Sequence, residues 1–247
     1  SSTDPAIVDL TAGDPTTYYS LDSVLFVWVD ASSTGTGLID PFVQVAGGGS
    51  PDIKDAYNTT VNGTLFNGAS NQFNHSLLLS VVPVVSLNST DYFEFLLDIN
   101  QTGKDPLLSL DDIQIFASDT ANQSIETFTG SLINLTGTLI YRLDTLGNNR
   151  VELDYSLNHG SGSGDMFMYI PTSFFSGAGA DEDFVYLYSK FGVNNNNNDG
   201  FEEWAIRTGE PCPAEGCPPP PCELTGTCPP VIPEPTSLLL MGSGLLG

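Results

Sequence analysis

Positive charge is scarce in this sequence: six Lys and Arg stand against thirty Asp and Glu, a formal net charge of −24 over 247 residues. So negative a surface repels phosphate backbones and anionic headgroups, which argues against nucleic acid as a partner. Charged residues of both signs make up only 15% of the chain, so the polar surface must be built from Ser, Thr, Asn and Gly rather than from ion pairs. Histidine is nearly absent. His75 and His159 stand in separate turn-rich stretches, and there is no G-x-S-x-G elbow to present a nucleophile, which argues against a Ser-His-Asp hydrolase. No stretch before the last residues keeps a helical period, so a helical cytoplasmic enzyme is a poor fit. The expectation is a protein without catalysis.

What is present reads as β-structure. Short apolar runs rich in Val, Ile, Phe, Tyr and Thr alternate with Gly, Asn, Asp and Pro from Ser1 to about Gly209. Val24 to Val29 predicts a strand buried on both faces, and Leu38 to Val45 predicts another, begun or interrupted by Pro41. The run from Ser76 through Val85 carries Pro83 and suits an edge or a bulge. Further strands are predicted at Tyr92 to Ile99, Asp112 to Ala117, Gly137 to Asp144, Val151 to Leu157, Asp165 to Ile170 and Asp183 to Phe191. The polar-apolar alternation of Asp112-Ile113-Gln114-Ile115 predicts a half-buried strand, and Gly147-Asn148-Asn149 predicts a hairpin. Together these give an all-β fold, an antiparallel β-sandwich of the jelly-roll type over residues 1–209.

Composition then changes. Residues 210–230 hold every cysteine of the chain, Cys212, Cys217, Cys222 and Cys228, around the proline run Pro218 to Pro221. Proline fixes φ and removes a donor, so the segment is expected to be an extended stalk. Close cysteines in an acidic, exported chain favour two disulfides, whose three pairings the sequence leaves open. Zinc is the rival reading, though the short C-x-x-C knuckles usual for it are missing. The chain starts at Ser1 with no apolar leader before it, which is read as a signal peptide already removed.

Residues 231–247 carry a specific resemblance. Pro233-Glu234-Pro235, followed by Thr236, Ser237 and a Leu- and Gly-rich run, is similar to the PEP-CTERM sorting signal of exported bacterial proteins. The resemblance implies membrane retention by the apolar segment, processing by an exosortase near Pro233 to Pro235, and display at the cell surface or in an extracellular, often polysaccharide-rich, matrix. Stretches such as Phe95 to Gln101, Leu110 to Phe116, Tyr186 to Ser189 and Asp199 to Trp204 resemble uncharacterised secreted proteins bearing the same tail. That family brings no catalysis with it.

Clustered oxygens make calcium the best cofactor candidate, with Asp98, Asn100, Asp105, Asp111, Asp112 and Asp199 as ligands in the first and second of three acidic stretches. Glu202-Glu203 beside Trp204 mimics a glycosidase pair, but neighbours in a strand point to opposite faces. Seven asparagines, Asn58, Asn62, Asn74, Asn88, Asn100, Asn122 and Asn134, precede x-Ser/Thr and are candidate glycosylation sites. The leading functional expectation is a structural surface or matrix protein that polymerises, with a terminal segment packed on the next subunit. The alternative is a tethered carbohydrate-binding module using Trp28, Trp204, Tyr18, Tyr19 and Phe174, although Trp28 in its apolar run is expected to be core.

Overall fold

The computed structural model describes residues 5–29, 39–47, 52–61, 65–69, 72–145, 147–158 and 164–208. The four cysteines, Pro233 to Pro235, Asn62 and His159 lie outside them, as do the stalk and the sorting segment. Sixteen strands follow in order: β1 (Ile7–Asp9), β2 (Tyr19–Leu21), β3 (Val24–Trp28), β4 (Ile39–Ala46), β5 (Lys54–Tyr57), β6 (Leu77–Leu78), β7 (Val84–Leu87), β8 (Thr90–Asp98), β9 (Leu107–Ser118), β10 (Phe128–Thr129), β11 (Leu132–Ile133), β12 (Thr138–Arg142), β13 (Arg150–Asp154), β14 (Met166–Pro171), β15 (Phe184–Phe191) and β16 (Phe201–Arg207). Short 3-10 turns occupy Leu79–Val81 and Thr172–Gly177.

Fourteen of these strands form two seven-stranded sheets packed as a β-sandwich, and β10 and β11 pair as a separate two-stranded hairpin. Sheet I has the order β1-β13-β9-β15-β5, with β12 on β9 and β6 on β15; sheet II has the order β2-β3-β14-β8-β16-β4, with β7 on β8. Alternation explains the core between them. Phe26, Phe95, Met168 and Trp204 from sheet II meet Leu110, Ile115, Val151 and Leu187 from sheet I in one apolar cluster. The predicted doubly buried run is found in β3, where Val24 and Phe26 enter this core while Leu25 and Val27 join a second cluster with Leu96, Phe167 and Tyr169.

Proline positions fit the edges. β4 pairs with β16 alone, and the register slips beside Pro41, between Trp204 and Ala205. β7 pairs only with β8 and follows Pro83, whose carbonyl accepts the Glu94 N–H at 2.9 Å. Two tight hairpins, β2–β3 and β7–β8, turn on residues with positive φ: Asp22 and Ser23 (51° and 70°), then Asn88 and Ser89 (49° and 65°).

Three expectations are corrected. The strand at Asp112 to Ala117 is not half-buried: β9 is buried from Leu108 to Ser118, because the β10–β11 hairpin and its flanks cover the outer face of sheet I. Gln114 stitches that cover down, donating to the Ser131 carbonyl at 2.7 Å and accepting the Ile133 N–H at 2.9 Å. Gly147-Asn148-Asn149 is not a hairpin. β12 and β13 both run antiparallel to β9 along the same side of it, so the loop is an excursion within one strand lane. Gly147 and Asn148 do take positive φ (85° and 75°), while buried Asn149 ties the loop to Leu143 and Ala6. Trp28 is only partly core: half-buried at the end of β3, it packs against the main cluster, and its buried indole N–H has no hydrogen-bond partner.

Candidate functional site

At one end of sheet II the ends of β8, β14 and β16 bring three carboxyls inside: Asp98, Asp165 and Glu202 are 4%, 2% and 0% exposed. Backbone hydrogen bonds hold them. Asp165 Oδ2 accepts the Ile99 N–H at 2.7 Å, and Glu202 Oε2 accepts the Asn100 N–H at 3.0 Å. Gln101 adds its amide to Glu202 Oε1 at 2.6 Å and accepts the Asn198 N–H at 2.9 Å, tying the Asn-rich loop after β15 to this end. Asp165 Oδ1 has no hydrogen-bond partner. Burial, with the charge of Asp98 adding to it, pushes the Asp165 carboxyl well above the usual range; burial followed by the charges of Asp165 and Asp98 does the same to Glu202.

These acids cannot serve as a glycosidase pair, because they are sealed from substrate. Glu202 lies on the same side of β16 as fully buried Trp204, and Glu203 turns the other way to hydrogen-bond with Gln44. The calcium candidates are dispersed. Asp111 and Asp112 point to opposite faces of β9: Asp111 accepts from Ser109, Val193 and Asn194, whereas Asp112 accepts from Gln114 and lies 3.9 Å from Arg142. Asp105 and Asp199 are exposed and Asn100 is half-buried. Among the described residues no group of three or more His, Cys, Asp or Glu is arranged to hold a metal ion.

Two of the sequon asparagines are buried in the fold. Asn58 is fully buried and staples β15, donating to the Val185 carbonyl at 2.8 Å and accepting the Leu187 N–H at 2.7 Å. Asn74 donates to the carbonyls of Gln44 and Ala69. A glycan on either amide nitrogen would break these bonds, so Asn58 and Asn74 are removed as acceptor sites. Asn88, Asn122 and Asn134 are exposed. The aromatic platform does not assemble either. Trp204 is sealed in the core, its indole N–H donating to Ser189 Oγ at 3.1 Å, and Tyr18 and Tyr19 pack against different clusters.

The open feature of the surface is one that sequence reading did not find. β16 and β7 share one side of β8: β16 pairs along Leu96 to Asp98, and β7 along Thr90 to Phe93. Beyond Ala205 the chain of β16 stays with β4 and parts from β8. The two strands thus diverge and leave a slot of about 630 Å³ in sheet II, lined by Asp40, Val81, Pro83, Val84, Ile206 and Arg207. Val81 and Val84 are 53% and 52% exposed at its rim. Beneath it Arg207 donates from Nη2 to Glu94 Oε2 at 2.5 Å and lies 5.0 Å over the Phe167 ring. Glu94 is 1% exposed, and burial raises its carboxyl above the usual value although Arg207 opposes this. No protein-family model matches the chain, nor does any curated protein or solved structure.

Proposed function

We propose that this chain is a non-catalytic, exported structural protein of the cell surface or matrix, which polymerises by packing a terminal segment of one copy on the next. The slot in sheet II is the observation that carries the reading. A sheet that parts between β7 and β16, with half-exposed valines at the rim, offers backbone edges and apolar surface to an incoming chain. Thr208 lines the same slot, and 39 further residues follow it in the sequence, from Gly209 to Gly247.

The sandwich is assigned to the jelly-roll class. The order β4-β16-β8-β14 set against β5-β15-β9-β13 supports this, because the chain passes between the sheets in the sequence of two Greek keys. The tail at Pro233 to Pro235 supports sorting by an exosortase, and Cys212 to Cys228 support a disulfide-stiffened stalk. This reading requires no cofactor.

Electron microscopy and light scattering of the full chain test it. Filaments or arrays are expected, and Val81→Asp with Val84→Asp should shift them to dispersed subunits that keep the wild-type β-sheet circular dichroism. Wild-type protein that stays monomeric at all concentrations would refute the proposal.

A further inference from the structure

The first strand differs from all the others in how it is held. β1 runs parallel to β13, with Ile7, Val8 and Asp9 opposite Arg150, Val151 and Glu152; every other strand pair among the described residues is antiparallel. Backbone bonds from Arg150 N–H to the Ala6 carbonyl (3.1 Å) and from Leu10 N–H to the Glu152 carbonyl (2.9 Å) close the two ends. Asn149 Oδ1 receives the Ala6 N–H at 2.8 Å. Val8 and Leu10, 4% and 2% exposed, enter the main core beside Val151 and Leu153. A short strand thus plugs one edge of the sandwich with two side chains and a few backbone bonds.

Its tether is built to lengthen. Thr11 to Thr17 is folded on itself by exposed turns, up to Tyr18, which packs on the second cluster: Asp9 Oδ1 accepts from the Thr11 N–H and hydroxyl, and Asp14 accepts from Thr16 and Thr17. Gly13, at φ 66°, bends the chain over Leu157. These bonds are local and solvent-facing, so water replaces them at little cost. Extended, seven residues reach roughly 23–25 Å, enough to carry the arm to a sandwich lying alongside.

We propose that β1 is an exchangeable arm whose partner is the β13 edge of a second copy of this chain. The arm and its acceptor edge are identical in every copy, so the exchanged contact reproduces the bonds and core packing of the intrachain one. Because arm and acceptor are different surfaces, each copy gives one arm and takes another; two copies that exchange with each other close as a dimer, and exchange passed from copy to copy builds a ring or an open series. The idea rests on the self-assembly reading for its partner: the slot of sheet II brings two copies together, and β1 of one then passes to the β13 edge of the other, a second contact separate from the slot.

An isotope-mixing cross-link tests it. Ile7 is 46% exposed and pairs with Arg150 on the outward side, so Ile7→Cys with Arg150→Cys in the full chain places a disulfide across the junction without entering the core. Chains with and without 15N are mixed before assembly and oxidised, with the unmodified chain oxidised alongside to account for Cys212 to Cys228. The expected result is mixed-label linked peptides approaching half of all such pairs, and linked species above the monomer on non-reducing electrophoresis beyond the control. Assemblies holding only same-label pairs would overturn arm exchange while leaving self-assembly standing. A monomer with only same-label pairs would overturn both. Should the double variant fail to fold, a fluorescent peptide of residues 1–12 incubated with the wild-type full chain replaces it: incorporation supports exchange, and none on warming overturns it.

Discussion

Asp165→Asn should stabilise this protein at neutral pH and do nothing at low pH. The carboxyl is 2% exposed, Oδ2 binds the Ile99 N–H, and Oδ1 has no partner. Burial raises its pKa well above 3.8, and Asp98 raises it further. A carboxyl raised in the folded state binds its proton more tightly there than in the unfolded chain. Its contribution is therefore complete below the unfolded value and lost as pH climbs through the folded one. Asparagine keeps an oxygen for Ile99 and replaces the orphaned oxygen with a donor aimed at an acidic neighbourhood. Leaving a buried polar atom unsatisfied costs about 1–3 kcal/mol. For a domain of this size each kcal/mol moves Tm by about 2–4 °C, so the variant should melt roughly 2–12 °C higher at pH 7. Thermal unfolding of both proteins from pH 3.5 to 8 reads this directly, with the curves meeting near the acid end. A variant less stable than wild type at pH 7, or a gap that does not change with pH, would refute the reasoning.

Arg207→Met strands the carboxylate of Glu94 in the interior and should cost about 3–5 kcal/mol by denaturant unfolding, with most of the loss recovered when Glu94→Gln is added. Gly137→Ala should unfold the protein or leave it insoluble, since a Cβ there would sit 2.0 Å from the Ala117 carbonyl oxygen at φ 123°; soluble expression with wild-type melting would contradict that backbone geometry. Expressed in a host that glycosylates Asn-x-Ser/Thr, the folded protein should carry no glycan at Asn58 or Asn74 by peptide mass spectrometry, and Asn58→Ala should cost about 2–3 kcal/mol for its two buried bonds.

The strands legible in the sequence were those whose side chains announce two buried faces or a turn, such as Val24 to Trp28 and Thr90 to Asp98. β16 was read as a strand only around Glu202 to Trp204, and nothing in the pattern told which glutamate is buried; what makes buried Glu202 tolerable is a backbone N–H of Asn100 and the amide of Gln101, supplied from about a hundred residues away. β1 is three residues long, and its pairing with β13 is parallel and remote, which no local pattern encodes. The acidic stretches were grouped by nearness in sequence, joining Asp98 to Asp105, Asp111 and Asp112. In the fold Asp98 influences Asp165 and Glu202 instead, because adjacent strands bring their ends together. The slot depends on where two strands leave a third, and hydropathy carries no trace of that.

The same shortage of cations that marks the composition explains the interior chemistry. Of six basic side chains, Arg142, Arg150 and Arg207 are committed to Asp112, Glu152 and Glu94. Side-chain amides meet several acids in and around the sheets, Asp112 among them. Gln101 reaches Glu202 and Gln114 reaches Asp112, each at 2.6 Å; Asn194 reaches Asp111, also at 2.6 Å, and Gln44 reaches Glu203. An amide solvates a carboxylate without bringing a charge of its own to desolvate, but it leaves the negative charge uncancelled. Burial therefore still dominates, and Asp112 is pushed up to about 6 even with Gln114 and Arg142 beside it. A sandwich built this way gains proton-linked stability as pH falls, the opposite of one held by buried carboxylates that are fully paired with cations. The amide-rich, cation-poor composition thus sets the pH response of the fold, and Asp165, with one oxygen unmet, carries that response together with Glu202.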